Sequence, residues 1–291
     1  MDWLDKMNAA IEYIEAHLAD DISYDRAAQI ACCSTYHFQR MFSYITGVPL
    51  SEYIRRRRLT LAAIDLQSGD CKVIDTALKY SYESPEAFSR AFKALHGTSP
   101  VSARDIGVSL KAYPKITLSI SIKGVTEMKY RIEDKKAFDL FGVELKTTVV
   151  DGQCYKDIPD FVMSCVEDGR AAALIADAGK KPNGIFDAGV TYDHNPNGSM
   201  SYAIACYTPD TSVPSKYKVF HVPAATWAVF ETGWKTEHDD AKVHDVWGRI
   251  YSEWFPSVNY EHAEAGFDLE MYYGDRDTDC SCEIWVPVKK K

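Results

Sequence analysis

A chain of 291 residues and 32.8 kDa exceeds the size at which one hydrophobic core usually stops growing, so two domains are expected. A hydrophobic share of 46% with 26% charged residues excludes global disorder and fibrous architecture, and no apolar run reaches the roughly 18 residues of a membrane span. Met1-Asp2-Trp3-Leu4-Asp5 has neither the basic start nor the apolar core of a signal peptide; the expected location is the cytoplasm, with no membrane partner.

The eight cysteines form no C-x-x-C pair and no metal-like spacing to histidine. Reduced structural thiols and no metal site are expected, with Cys32-Cys33 and Cys280-x-Cys282 as the alternative redox candidates. The net charge of −9 argues against a surface that coats nucleic acid everywhere, but the charge is uneven. Residues 26–107 carry eleven Lys/Arg against seven Asp/Glu, while residues 1–25 carry one Lys against seven Asp/Glu. A basic segment inside an acidic chain points to one restricted phosphate-facing surface.

In chain order, Leu4, Met7, Ile11, Ile14 and Leu18 step by three or four residues, the pattern of a bundle helix. Short helices are expected over Tyr24–Ala31 and Val73–Lys79. After each comes a second helix, and these two repeat: Ser34, Phe38, Arg40, Phe42 and Gly47 recur as Ser84, Phe88, Arg90, Phe92 and Gly97, each 50 residues on. Serine suits the N-cap, glycine the C-terminal stop and Pro85 the first helical turn. The apolar stripes Phe38, Met41, Phe42, Ile45 and Phe88, Ala91, Phe92, Leu95 turn inward. Tyr36, Gln39, Arg40 and Ser43 are thereby expected to face outward on the first helix, and Glu86, Ser89, Arg90 and Lys93 on the second. The unit is helix-turn-helix, twice. Between the copies, Pro49 to about Gln67 reads as one helix with Leu50, Ile54, Leu61 and Ile64 on a stripe, roughly 28 Å long against the roughly 34 Å between major-groove faces on one side of a duplex.

The runs Tyr36-His37-Phe38-Gln39-Arg40-Met41-Phe42, Gly47, Tyr53-Ile54-Arg55 and Ser84 through Gly97 with Thr98-Ser99-Pro100 resemble the AraC/XylS-type DNA-binding domain over residues 1–107. The resemblance implies double-stranded DNA as partner, with two recognition helices in adjacent major grooves. It assigns base reading to Tyr36, Gln39 and Arg40, and to Glu86 and Arg90, while some of Arg55 to Arg58, with Lys93, are better placed to hold phosphates. The alternative for Arg40 and Arg90 is a salt bridge within the bundle. Two departures stand out: Ser81-Tyr82 replaces the usual Gly-Phe, and Glu86 would repel phosphates while accepting from cytosine.

Residues 108–125 are expected to be a linker, although Thr117-Leu118-Ser119-Ile120-Ser121-Ile122 alternates as a strand does. Beyond it, two similar passes follow. The first has strands near 130–132 and 138–145, a helix over 158–176, and strands near 184–192 and 202–207. The second has strands near 217–221 and 226–232, a helix over 241–255, and strands near 267–273 and 282–288. The fold class is an all-α double helix-turn-helix followed by an α+β domain with two pseudo-symmetric strand-helix-strand-strand units.

Trp227-Ala228-Val229-Phe230, Trp247 with Ser252-Glu253-Trp254-Phe255-Pro256, Phe267 through Tyr272 and Ile284-Trp285-Val286-Pro287-Val288 resemble the gyrase-inhibitor-like effector-binding domain over residues 126–291. That resemblance implies a cleft for a small lipophilic, often cationic effector, with a glutamate at Glu270. Glu270 and Tyr272 share a strand face, Trp285 is expected beside them on a neighbouring strand, and Tyr192 and Trp254 are further wall candidates. An aromatic wall and a carboxylate together select large, soft cations. The reading is a one-component transcription regulator, with RNA polymerase as a further partner. The alternatives are a small-molecule hydrolase or a sequestering module fused to a DNA-binding domain. No nucleophile elbow, metal box or phosphate loop is present, so no catalytic residue and no cofactor are expected.

Overall fold

The computed structural model describes residues 3–69, 71–119, 127–181, 184–195, 197–210, 212–233, 235, 240–263, 265–275 and 280–291. The chain clusters into two compact units, Met1–Phe38 with Val48–Ser121, and Gln39–Gly47 with Ile122–Lys291. Among the described residues no helix is long and apolar enough to cross a membrane.

The first unit holds α1 (Trp3–Ala16), α2 (Tyr24–Ile30), the first turn of α3 (Thr35–Thr46), α4 (Leu50–Ser68), α5 (Val73–Lys79) and α6 (Pro85–His96). Ser23 caps α2 by accepting from the Arg26 N–H, and Ser84 caps α6 by accepting from Ala87. Both short helices end alike. The N–H groups of Cys33 and Tyr82 reach back to Ala28 and Ala77, with Cys32 and Ser81 at φ of 56° and 61°. This left-handed closure is ordinarily easiest for glycine, which explains the usual glycine where Ser81 stands. On α4 the core stripe is Leu59, Ala62, Ala63 and Leu66 packed with Phe88 and Phe92. Ile64, expected on the stripe, is 57% exposed, because residues 62, 63 and 66 take the inward arc of the turn.

The expected strand beginning at Thr117 does not form over 117–119, and 120–122 lie outside the described residues. The backbone there is bonded to side chains instead: Asn8 donates to Leu118 O and accepts from Leu118 N–H, and Ile116 N–H donates to the Tyr53 hydroxyl. His96 is buried, and burial lowers its pKa. Its Nδ1 accepts from Lys111 N–H, so its Nε2 carries the proton donated to Leu59 O. A proton taken up by the unfolded chain but resisted by the folded one costs stability. The urea midpoint of this unit is therefore expected to be highest above pH 6.5 and to fall below it, less steeply in His96→Gln. Equal pH slopes in parent and variant would refute the assignment.

The second unit carries β1 (Tyr130–Lys135), β2 (Phe138–Thr148), α7 (Cys154–Glu167), α8 (Arg170–Asp177), β3 (Ala188–Tyr192), β4 (Ser199–Tyr207), β5 (Lys218–Val222), β6 (Ala225–Glu231), α9 (Asp240–Arg249), β7 (Tyr260–His262), β8 (Phe267–Tyr273) and β9 (Ser281–Lys290). The single helix expected over 158–176 is two, broken at Gly169, whose φ is +83°. That expected over 241–255 passes from α9 into a π turn at Ile250–Trp254. The strand order is β1-β6-β9-β8-β3-β4-β2-β5, with β7 on β9, and every pairing is antiparallel. Exchanging β1 with β5, β6 with β2, β9 with β4 and β8 with β3 returns the same order reversed, which is the expected pseudo-twofold symmetry. One sheet face, with Leu140, Val190, Tyr192, Phe220, Trp227, Leu269 and Trp285, closes on itself as a core. α7, α8 and α9 pack on β2, β4 and β9.

Candidate functional site

In the first unit, α6 buries Phe88, Phe92 and Leu95 at i, i+4 and i+7. The opposite side presents exposed Glu86, Arg90 and Lys93, with Ser89 half-buried. Arg90 and Lys93 have no ion pair among the described residues, so their charges are available to a polyanion. The four arginines of α4 are less available than expected, because local carboxylates and carbonyls take them up. Arg55 and Arg56 pair with Glu52 one turn back. Arg57 is held by Glu15 at 2.8 Å, and Arg58 donates to the Leu18 and Asp20 carbonyls. Arg55 keeps 40% side-chain exposure and Arg56 32%, against 11% for Arg57.

The first reading helix differs from the second. Tyr36 is 2% exposed, Gln39 4% and Arg40 7%, which corrects the expectation that they stand outward. Residues Gln39–Gly47 cluster with the second unit, and their neighbours there explain the burial of Gln39 and Arg40. Arg40 donates to Asp268 Oδ2 at 2.6 Å, and its guanidinium lies 4.1 Å from the centre of the Trp247 ring. Asp268, 1% exposed, also accepts from His262 Nε2 at 2.8 Å. A carboxylate so buried requires charged partners, and Arg40 is one. One turn on, Tyr44 stacks on Trp247 and Tyr251, meets Tyr155 edge-on and lies tilted against His244. Burial pushes the Tyr44 hydroxyl pKa well above the ordinary tyrosine value, and lowers that of His244. Burial also takes nearby His194 down to about 4, leaving it neutral at pH 7.

Glu270 shares the β8 face of Asp268, two residues on. Its Oε1 accepts from Trp247 Nε1 at 2.9 Å and its Oε2 from the Tyr272 hydroxyl at 3.1 Å. Gly189, opposite Glu270 on β3, makes the space: a Cβ there would lie 2.6 Å from the Tyr202 hydroxyl and 3.3 Å from Glu270 Oε2. The Tyr272 hydroxyl is held far above its ordinary pKa by burial and by the adjacent Glu270 carboxylate, so it remains a donor.

The other expected wall residues lie elsewhere. Trp285 pairs with Leu269, not Glu270, and period-2 alternation sends it to the opposite sheet face with Trp227. Tyr192 follows it there and donates to Glu144. Trp254 belongs to a separate aromatic group with Tyr130, Phe230 and Tyr260. Tyr272 meets Glu270 as expected, whereas Trp247 and Gly189, which also meet it, were not among the candidates. A glycine inside a strand was the available signal for Gly189; for Trp247 only the helix phase relative to the sheet decides.

Residues 27–105 match the family model of a helix-turn-helix domain, and residues 131–288, more than half of the chain, match that of Cass2, an integron-associated effector binding protein. The HTH-type transcriptional activator AarP of Providencia stuartii is 47% identical over 88 residues, 30% of this chain and 65% of that protein. The probable transcription factor PqrA of Proteus vulgaris is 36% identical over 103 residues, 35% and 84% of the two chains. The right origin-binding protein of Escherichia coli (strain K12) is 38% identical over 92 residues, 32% of each chain. The chain thus spans less than two thirds of AarP and about one third of the origin-binding protein. A crystal structure of a bacterial transcription regulation protein from Staphylococcus aureus MU50 is 23% identical, with a TM-score of 0.44 over 56% of this chain and 99% of that one.

Proposed function

Because the chain belongs to the AraC-type helix-turn-helix regulators and, through residues 131–288, to the Cass2 effector-binding family, we propose that it is a one-component transcription regulator. Residues 1–107 bind duplex DNA, 108–125 connect, and residues 126–291 bind a small lipophilic cation that alters promoter occupancy or contact with RNA polymerase. The observation that carries DNA binding is the capped α6, with Arg90 and Lys93 on its exposed side and without an ion pair among the described residues. A bidentate arginine on guanine discriminates by about 1–3 kcal/mol, whereas phosphate contacts position without reading sequence. Selection from random duplexes with the full chain is expected to return one asymmetric site. Arg90→Ala is expected to relax one or two of its base positions by about tenfold; an unchanged consensus would reject Arg90 as a reader. Affinity measured at several salt concentrations counts the phosphate contacts separately.

The cluster of Glu270, Trp247 and Tyr272 supports the second half of the reading, as the wall of a ligand pocket. A carboxylate held by Trp247 and Tyr272 beside aromatic faces offsets the desolvation of a soft cation, through pairing and through the ring quadrupoles. Calorimetry with tetraphenylphosphonium is expected to show binding to the parent, weakened at least tenfold in Glu270→Gln, about 1.4 kcal/mol. Equal affinity in the two proteins would remove the charge-pairing role of Glu270. AarP and PqrA are a transcriptional activator and a transcription factor by name, which favours sensing over hydrolysis.

A further inference from the structure

Arg40 in the second unit does what a bound lipophilic cation would do. Its planar cation covers the face of Trp247, the residue that donates to Glu270, and it satisfies Asp268, two residues from Glu270 on the same strand face. Tyr44 fills the adjoining aromatic space between Trp247, Tyr251, Tyr155 and His244. Arg40 and Gln39 are also the candidate base readers of α3, and one guanidinium does not pair with Asp268 and with a guanine at once.

We propose that Arg40 and Tyr44 are a built-in occupant of the Glu270 pocket, so that a lipophilic cation and duplex DNA are linked through one helix segment: cation in the pocket frees Gln39–Gly47 for base reading, and an empty pocket retains it. The proposal rests on the reading of this pocket as a cation site. The linkage has a definite sign. A ligand that binds only the state with the segment released must tighten DNA binding by the factor by which it shifts that state, and DNA must tighten the cation by the same factor. Retention also has a chemical logic: Asp268 is too buried to stand without a cation, and an incoming ligand cation replaces the guanidinium beside it.

The test uses the full chain and the selected duplex, followed by fluorescence anisotropy with and without tetraphenylphosphonium. Asp268→Asn removes the charge that holds Arg40, and Tyr44→Leu removes the aromatic plug while leaving a helix former. Circular dichroism first establishes that each variant is folded. Both are expected to bind the duplex at least tenfold tighter than the parent without cation, and to gain little when it is added, whereas the parent gains at least tenfold. If Asp268→Asn does not fold, Tyr44→Leu alone decides. A folded variant that binds DNA no tighter than the parent overturns the proposal, and if the parent still binds the cation the pocket reading survives it. Variants that gain DNA affinity while no protein binds the cation leave the retained segment standing and reject the cation as its release signal.

Discussion

Arg57→Ala is expected to lose about 3–5 kcal/mol of stability in the first unit, the usual cost of leaving one member of a buried ion pair alone. Arg57 and Glu15 are each 11% exposed at the side chain, and the pair is fixed on several sides. Arg57 Nε and Nη2 grip the Glu15 carboxylate, Nη1 donates to Tyr113 O at 2.6 Å, and the Tyr53 hydroxyl donates to the same carboxylate. Burial by itself would raise the pKa of Glu15, but the hydrogen bonds from Arg57 and Tyr53 outweigh it and hold the group below the ordinary carboxylate value. That contribution is present above the unfolded value of 4.5 and is lost as pH falls through the lower folded one. A unit of about a hundred residues loses about 4–8 °C of melting temperature per kcal/mol, so the first transition is expected to fall by tens of degrees. Arg57→Lys keeps the charge but not the fork, and belongs between. A fully stable Arg57→Ala protein with a shallower salt dependence of DNA binding would return Arg57 to the phosphate-holding role.

The second large effect belongs to Trp227, fully buried in the β6 core with its ring 6.0 Å from that of Trp285. Its Nε1 has no hydrogen-bond partner among the described residues. Trp227→Ala is expected to cost about 3–5 kcal/mol by leaving a cavity. Trp227→Phe removes less volume and also removes the unsatisfied N–H, whose burial costs about 1–3 kcal/mol, so it is expected to stay within about 1.5 kcal/mol of the parent. Urea unfolding of the second unit measures both. A phenylalanine variant as unstable as the alanine one would show that the indole N–H is bonded after all.

Much of the local structure was legible because local physics sets it. The caps at Ser34 and Ser84, the stops at Gly47 and Gly97, and the i, i+4 phenylalanines are one-turn relations. They hold wherever the segment is placed. The two passes of the second unit were readable for the same reason, since period 2 is a property of an extended backbone. The misreadings share the opposite cause. Trp285 was grouped with Glu270 because both lie on neighbouring strands, yet a register shifted by one residue reverses the face.

The sequence by itself determined the helix-turn-helix repeat, the α+β pattern behind it, and the identity of Arg90 and Glu270 as groups worth testing. Tertiary structure alone decided that Arg57 is an internal ion-pair partner while Arg90 is exposed, and that Arg40 pairs with a carboxylate 228 residues further along the chain. An arginine reads the same in any helix; its role follows from which charges the fold brings within a few ångströms, and the energy of that encounter depends on burial that no neighbouring residue reports.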